Sequence, residues 1–98
     1  MTTITVGDDY IEVKGHSYYA ESGKDIVCSA ISTLSEATYN YLKCTKNKVN
    51  FEESDGYYKI LFPKLNKAGE AIKMEFIRMV DEISKDYPRN VRRKKWKN

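Results

Sequence analysis

The stretch "YIEVKGHSYYAESGKDIVCSAIS", Tyr10 to Ser32, decides the fold, because the hydrophobic period changes inside it. Ahead of Gly15 the residues alternate. Ile11 and Val13 fall on one side of the chain and Glu12 and Lys14 on the other, the period of a strand with one buried face. Beyond Asp25 the apolar residues Ile26, Val27, Ala30, Ile31, Leu34, Thr38, Tyr41 and Leu42 recur at three- and four-residue steps, which predicts a helix to about Lys43. Ser22-Gly23-Lys24-Asp25 marks its start, since Ser and Asp both cap well and an acid suits the positive end of the helix dipole.

Working outward, "TITV" before Gly7-Asp8-Asp9 reads as the partner of the Tyr10–Lys14 strand in an antiparallel hairpin. On the other side, "KVNFEE" and "YYKILF" flank Ser54-Asp55-Gly56, and Asp-Gly is among the strongest short hairpin signals. Pro63 stops that strand. Asn66 opens a second helix whose core stripe is expected to be Ala68, Ile72, Phe76, Met79, Val80 and Ile83. "DYPRNV" ends it, and Val91 offers a short terminal strand. The order ββαββα predicts an α+β, two-layer fold: a four-stranded, mostly antiparallel sheet with both helices packed on one face. Residues 1–88 are expected to form the single domain and 89–98 a basic tail.

Composition bounds the function. With 98 residues, 41% hydrophobic and 32% charged, the chain suits one globular domain. It has no apolar run near the roughly 20 residues that cross a bilayer, and "MTTITVGDDY" lacks the regions of a signal peptide. The expectation is a cytoplasmic protein with no membrane partner. Two cysteines in that compartment are read as free thiols. With one histidine they offer three ligands at none of the usual zinc spacings, so neither metal nor cofactor is expected. Cys44, near a helix end, reads as a small buried or half-buried side chain. Charge is uneven: residues 1–88 carry 11 Lys and Arg against 14 Asp and Glu, whereas the last ten residues add six positive charges and no negative one. Such a tail either contacts nucleic acid or acidic partners or is merely solvated.

Chemistry concentrates at the first helix. Cys28 lies in its first turn, where unpaired N–H groups and the dipole stabilise a thiolate. A nearby imidazole can pair with such a thiolate and later protonate a leaving amine. Spacing alone leaves two readings of His16 and Cys28 open: a working pair, or a solvent-facing histidine at a strand end and a cysteine packed under the sheet.

Gly15-His16, a short loop closing at Gly23, then Asp25-Ile26-Val27-Cys28-Ser29-Ala30 with Ser32 one turn on, resembles the signature of the ribosomal-processing cysteine proteases, the Prp family. The element order, the Asp55-Gly56 turn and the "DYP" helix ending extend the likeness over most of the chain. The resemblance implies a cysteine endopeptidase of Firmicutes and related bacteria. Such enzymes remove a short N-terminal extension from the large-subunit ribosomal protein "L twenty-seven", cutting after an aromatic residue. It implies Cys28 as nucleophile, His16 as base, a homodimer, and a mobile loop between them that closes on the substrate. Relatives in phages imply a second target, a virion structural protein.

Supporting roles follow as expectations. The N–H groups of Cys28 and Ser29 could form an oxyanion hole. Asp25 either orients His16 or caps the helix, and its place three residues before Cys28 favours the cap. Ser32 either bonds near Cys28 or bonds back to its own helix. Tyr18 and Tyr19 either line a pocket for the aromatic residue at the cut or are ordinary half-exposed tyrosines. Gly15 and Gly23 are read as the loop hinges. Ser17 and Tyr18 replace the small residues, often Ala then Gly, that the family carries after the histidine. Ser29 stands where Ala is common. The tail "VRRKKWKN" is unusually basic; Trp96 within it favours contact with ribosomal RNA, since indoles stack on bases. The alternative of another class is a non-catalytic ribosome- or RNA-binding module. Against it stand the acidic body and the lack of an RNA-binding signature.

Overall fold

A computed structural model describes residues 1–21 and 23–95. The candidate cap Ser22 and the candidate stacking residue Trp96 lie outside the described residues. In chain order the elements are β1 (Thr2–Val6), β2 (Tyr10–Lys14), α1 (Ile26–Cys44), β3 (Asn50–Ser54), β4 (Tyr57–Leu61), α2 (Lys67–Asp86) and β5 (Val91–Lys95). The fold is α+β as expected, but the sheet is five-stranded and mixed, in the order β3-β4-β2-β1-β5. The pairs β1–β2, β2–β4 and β3–β4 are antiparallel, while β5 runs parallel to β1, with Thr2 opposite Val91 and Ile4 opposite Arg93. The expected four-stranded ββαββα arrangement is thereby corrected to ββαββαβ. Half of the expected tail is sheet.

Basic residues form this strand because its two faces meet different partners. Val91 is buried in the core. Arg93, two residues on and therefore on the same face, donates to both carboxylate oxygens of Asp81 on α2 at 2.5 and 3.1 Å. Arg92 and Lys94 alternate outward. The N–H of Thr2 donates to the carbonyl of Asn90 at 2.9 Å, fixing the register where β5 begins.

The core lies where one face of the sheet meets the helices. Ile4, Ile11, Ile60 and Val91 from the strands pack with Val27, Ile31 and Leu42 of α1 and Phe76 and Val80 of α2, all buried. Truncating Phe76 to Ala would cost about 3–5 kcal/mol. The helical stripes are narrower than the sequence suggests: Ile26, Ala30 and Tyr41 of α1 and Ala68 and Met79 of α2 are exposed. Cys44, expected to be at least half-buried, is exposed on the last turn of α1. Two polar residues do enter the core side of α1. Ser35 and Thr38 are buried because their hydroxyls donate back to the carbonyls of Ile31 and Leu34, both at 2.7 Å. Among the described residues no helix is long and apolar enough to cross a membrane, and no group of metal-ligating side chains occurs.

Candidate active site

A single carboxylate organises the start of α1. Asp25 has the extended backbone of an N-cap, and its Oδ1 accepts from the N–H of Cys28 at 2.9 Å. Its other oxygen, Oδ2, gathers the loop that follows β2. It accepts from the Ser17 hydroxyl at 2.6 Å and from the N–H groups of Tyr19 and Ala20 at 3.0 and 3.4 Å. Burial alone would raise the carboxyl pKa. The Ser17 hydroxyl and the N–H groups of Cys28, Ala20 and Tyr19 outweigh that, and the pKa is lowered to about 2. Asp25 is thus ionised throughout the neutral range. Both expectations for it narrow to one arrangement: it is the helix cap and it holds the loop, and among the described residues it makes no hydrogen bond to the His16 ring.

Cys28, in the first turn of α1, is half-buried. Its Sγ lies 3.3 Å from Ser17 Oγ. Ser17 is 1% exposed, so it lies beneath the loop rather than on its outer surface. Its carbonyl accepts from the Asn90 side-chain amide at 3.0 Å.

His16 sits against the β3–β4 turn. Gly56, at φ +66°, provides the seat: a Cβ there would come within 2.8 Å of His16 Nε2. His16 Nε2 is 3.9 Å from the fully exposed carboxylate of Asp55, a surface pair worth little. The His16 ring also tilts against Tyr18, with centroids 5.9 Å apart. No hydrogen bond joins His16 to Cys28 in this geometry. Both nevertheless line one cavity of about 570 Å³, with Gly15, Tyr18, Gly23, Asp25, Ser29 and Ser32 among its other walls. A pocket of that size suits a peptide segment of a few residues.

Residues 1–92 match the family described as cysteine protease Prp. The chain belongs to that family. A stretch of 34 residues is 50% identical to the ribosomal processing cysteine protease Prp of Mycoplasma genitalium, covering 35% of this chain and 34% of that protein. The match thus spans about a third of that relative's length. The fold resembles the essential ribosomal processing protease Prp from S. aureus in complex with a covalently linked product peptide, with a TM-score of 0.87 and 22% identity over 97% of both chains. The same S. aureus protease in complex with a substrate peptide gives 0.80 at 21% identity, again over 97% of both chains. At these identities the structural likeness speaks for the fold, and membership of the Prp family rests on the match of residues 1–92.

Seen as a Prp-family site, the cavity separates residues that the sequence grouped together. Tyr18, 74% exposed and with φ +55°, lines it beside His16. Tyr19 turns away and packs edge-on against Tyr87, with centroids 5.3 Å apart. Gly15 is clamped: its N–H donates to the carbonyl of Gly56 at 2.7 Å, and a Cβ would stand 2.5 Å from the Met1 carbonyl oxygen. Gly23 has open space around it at φ +88°, which leaves it the freer of the two expected hinges. Ser29 and Ser32 are exposed on the cavity wall, and the Ser32 hydroxyl makes no hydrogen bond to another described residue. Both donors expected for the oxyanion hole already have acceptors in this geometry: the Cys28 N–H donates to Asp25 Oδ1, and the Ser29 N–H to the Asp25 carbonyl at 3.1 Å.

Several contributors were missed by sequence reasoning. Gly56 was read only as a turn residue, and Asn90 had no signal at all. Glu36, Glu53 and Tyr58 also line the cavity. Burial, with the nearby charges of Glu53 and Glu36, pushes the Tyr58 phenol up to about 12, so it remains a neutral donor.

Proposed function

We propose that this chain is a cytoplasmic cysteine endopeptidase acting by a Cys28–His16 dyad. Its substrate is the N-terminal extension of a ribosomal protein precursor. The observation that carries this reading is the shared cavity: the only histidine and a helix-start cysteine, twelve positions apart in sequence, face one peptide-sized space. Cys28 Sγ attacks the scissile carbonyl, and His16 takes the thiol proton and delivers it to the departing amine. Water then hydrolyses the thioester, with His16 as base. The dyad must close for this to happen, and catalytic pairs commonly tighten only when substrate arrives. The loop between His16 and Cys28 supports such a movement, because Gly23 lies in open space. The finer reading follows the family resemblance: the "L twenty-seven" precursor, cleavage after an aromatic residue beside Tyr18, and a homodimer.

The test is cleavage of a peptide spanning that ribosomal extension, followed by mass spectrometry. Cys28→Ala and His16→Ala are each expected to abolish the cut. An active Cys28→Ala protein would sink the dyad. A virion-protein peptide cut in preference to the ribosomal one would move the substrate to the phage reading.

A further inference from the structure

Ser17 lies within hydrogen-bond distance of two groups but has one proton to give. Its Oγ is 2.6 Å from Asp25 Oδ2 and 3.3 Å from Cys28 Sγ. The first contact is short, buried and charge-assisted, because Asp25 is ionised. The hydroxyl proton is therefore committed to the carboxylate, and the oxygen presents a lone pair to the sulfur. A thiol can donate into that lone pair; a thiolate finds no donor there. The chain Cys28 S–H to Ser17 O–H to Asp25 carboxylate is complete in one direction only.

We propose that Ser17 is a positioning residue that holds Cys28 in its resting, protonated form until His16 closes on it. This rests on Cys28 being the nucleophile. The network does not carry the proton away. A carboxylate with a pKa near 2 is far too weak a base to accept it from a thiol, whose ordinary value is about 8.5. The network therefore gives the proton no route from sulfur to the carboxylate. Ser17 is also fixed where it must be to do this, since it is 1% exposed and its carbonyl is bound by Asn90 at 3.0 Å. His16, seated over Gly56 and not bonded to Cys28, completes an arrangement that is off at rest. When substrate brings the imidazole to Sγ, the proton passes to His16, and the Ser17 hydroxyl is released to rotate.

The test measures alkylation of Cys28 without substrate, in a Cys44→Ser background that removes the exposed second thiol. Ser17→Ala is expected to react with iodoacetamide roughly three- to fivefold faster at pH 7, the loss of about one hydrogen bond. Ser17→Thr, which keeps the hydroxyl, is expected to stay close to the parent, and Ser17→Val, nearly isosteric with the Thr variant, to match Ser17→Ala. A loop merely loosened by the added methyl groups would make Thr and Val equally fast. Equal rates for that pair overturn the proposal, as does Ser17→Ala reacting no faster than the parent. If the bulkier variants fail to fold, Ser17→Ala decides alone with a second reagent. Loss of the hydrogen bond raises the rates of iodoacetamide and the larger N-ethylmaleimide by the same factor, whereas a loop that has opened favours the larger reagent. Because no peptide is present, failure of the cleavage assay leaves this result untouched.

Discussion

The two helices begin with the same local device and use it differently. Asn66 caps α2 by accepting from the Gly69 N–H at 2.8 Å, as Asp25 caps α1 at the Cys28 N–H at 2.9 Å. Each cap also binds a distant segment. Asn66 donates to the Thr45 carbonyl at 2.8 Å and exchanges hydrogen bonds with Asn47, tying α2 to the end of α1. Every partner there is neutral, and the Asn47 side is buried. Asp25 binds a loop instead, with a charged group beside a thiol and an open cavity. The amide closes a joint, whereas the carboxylate organises a site. Net charge and the neighbouring sulfur, not cap geometry, separate structure from function here.

The largest effect should come from making the first cap like the second. Asp25→Asn can still accept from the Cys28 N–H, but its amide nitrogen offers no lone pair to Ser17 and Tyr19. We expect α1 to persist by circular dichroism while peptide cleavage falls about a hundredfold or more, the scale set by misplacing catalytic groups. The converse change, Asn66→Asp, keeps the cap but removes the donor to the Thr45 carbonyl and sets a carboxylate against it. It should lower stability by about 1–3 kcal/mol in denaturant titration and leave cleavage by the folded protein unchanged.

Acid sharpens the contrast further. The Asp25 carboxyl is lowered from 3.8 to about 2 on folding. Between those values the unfolded chain binds more protons, so stability rises with pH. The Asp25 contribution is therefore complete above about pH 4 and is lost as pH falls toward 2. Unfolding midpoints measured from pH 4 to 2 should drop less steeply in Asp25→Asn than in the parent; equal slopes would contradict the ionised cap. The smallest effect belongs to the loop's own surface pair. Lys24 and Glu21 approach to 3.2 Å but are about three-quarters exposed. Lys24→Ala should cost less than about 0.5 kcal/mol and leave cleavage within twofold of the parent.

These caps also show which parts of the molecule could be read from sequence. Asp25 three residues before Cys28, and Asn66 before Gly69, are local signals, so both helix starts were legible. So was the Asp55-Gly56 hairpin. Membership of the Prp family was equally legible, carried by the Gly15-His16 and Asp25–Cys28 segments. The fifth strand was legible only at Val91, and its length and its parallel pairing with β1 were not. The rest of "VRRKK" is charged, and its fit depends on Asp81 reaching Arg93 from α2. The same limit hid Ser17. A serine after a histidine has no periodic signature, and its partners at Asp25, Cys28 and Asn90 come together only when the loop has taken its path. His16 over Gly56 is likewise a meeting of segments forty residues apart in sequence.

The Asn90 amide reaches back across 73 residues to the carbonyl of Ser17, and β5 begins one residue later. Contacts of that sequence separation form late, since a long loop must close first. A growing chain on the ribosome exposes Cys28 well before Asn90 has been made. Until then the loop over the thiol lacks one of its anchors, and the strand that secures β1 does not exist. The thiol is therefore made early, and the side chain that anchors the loop over it is made late.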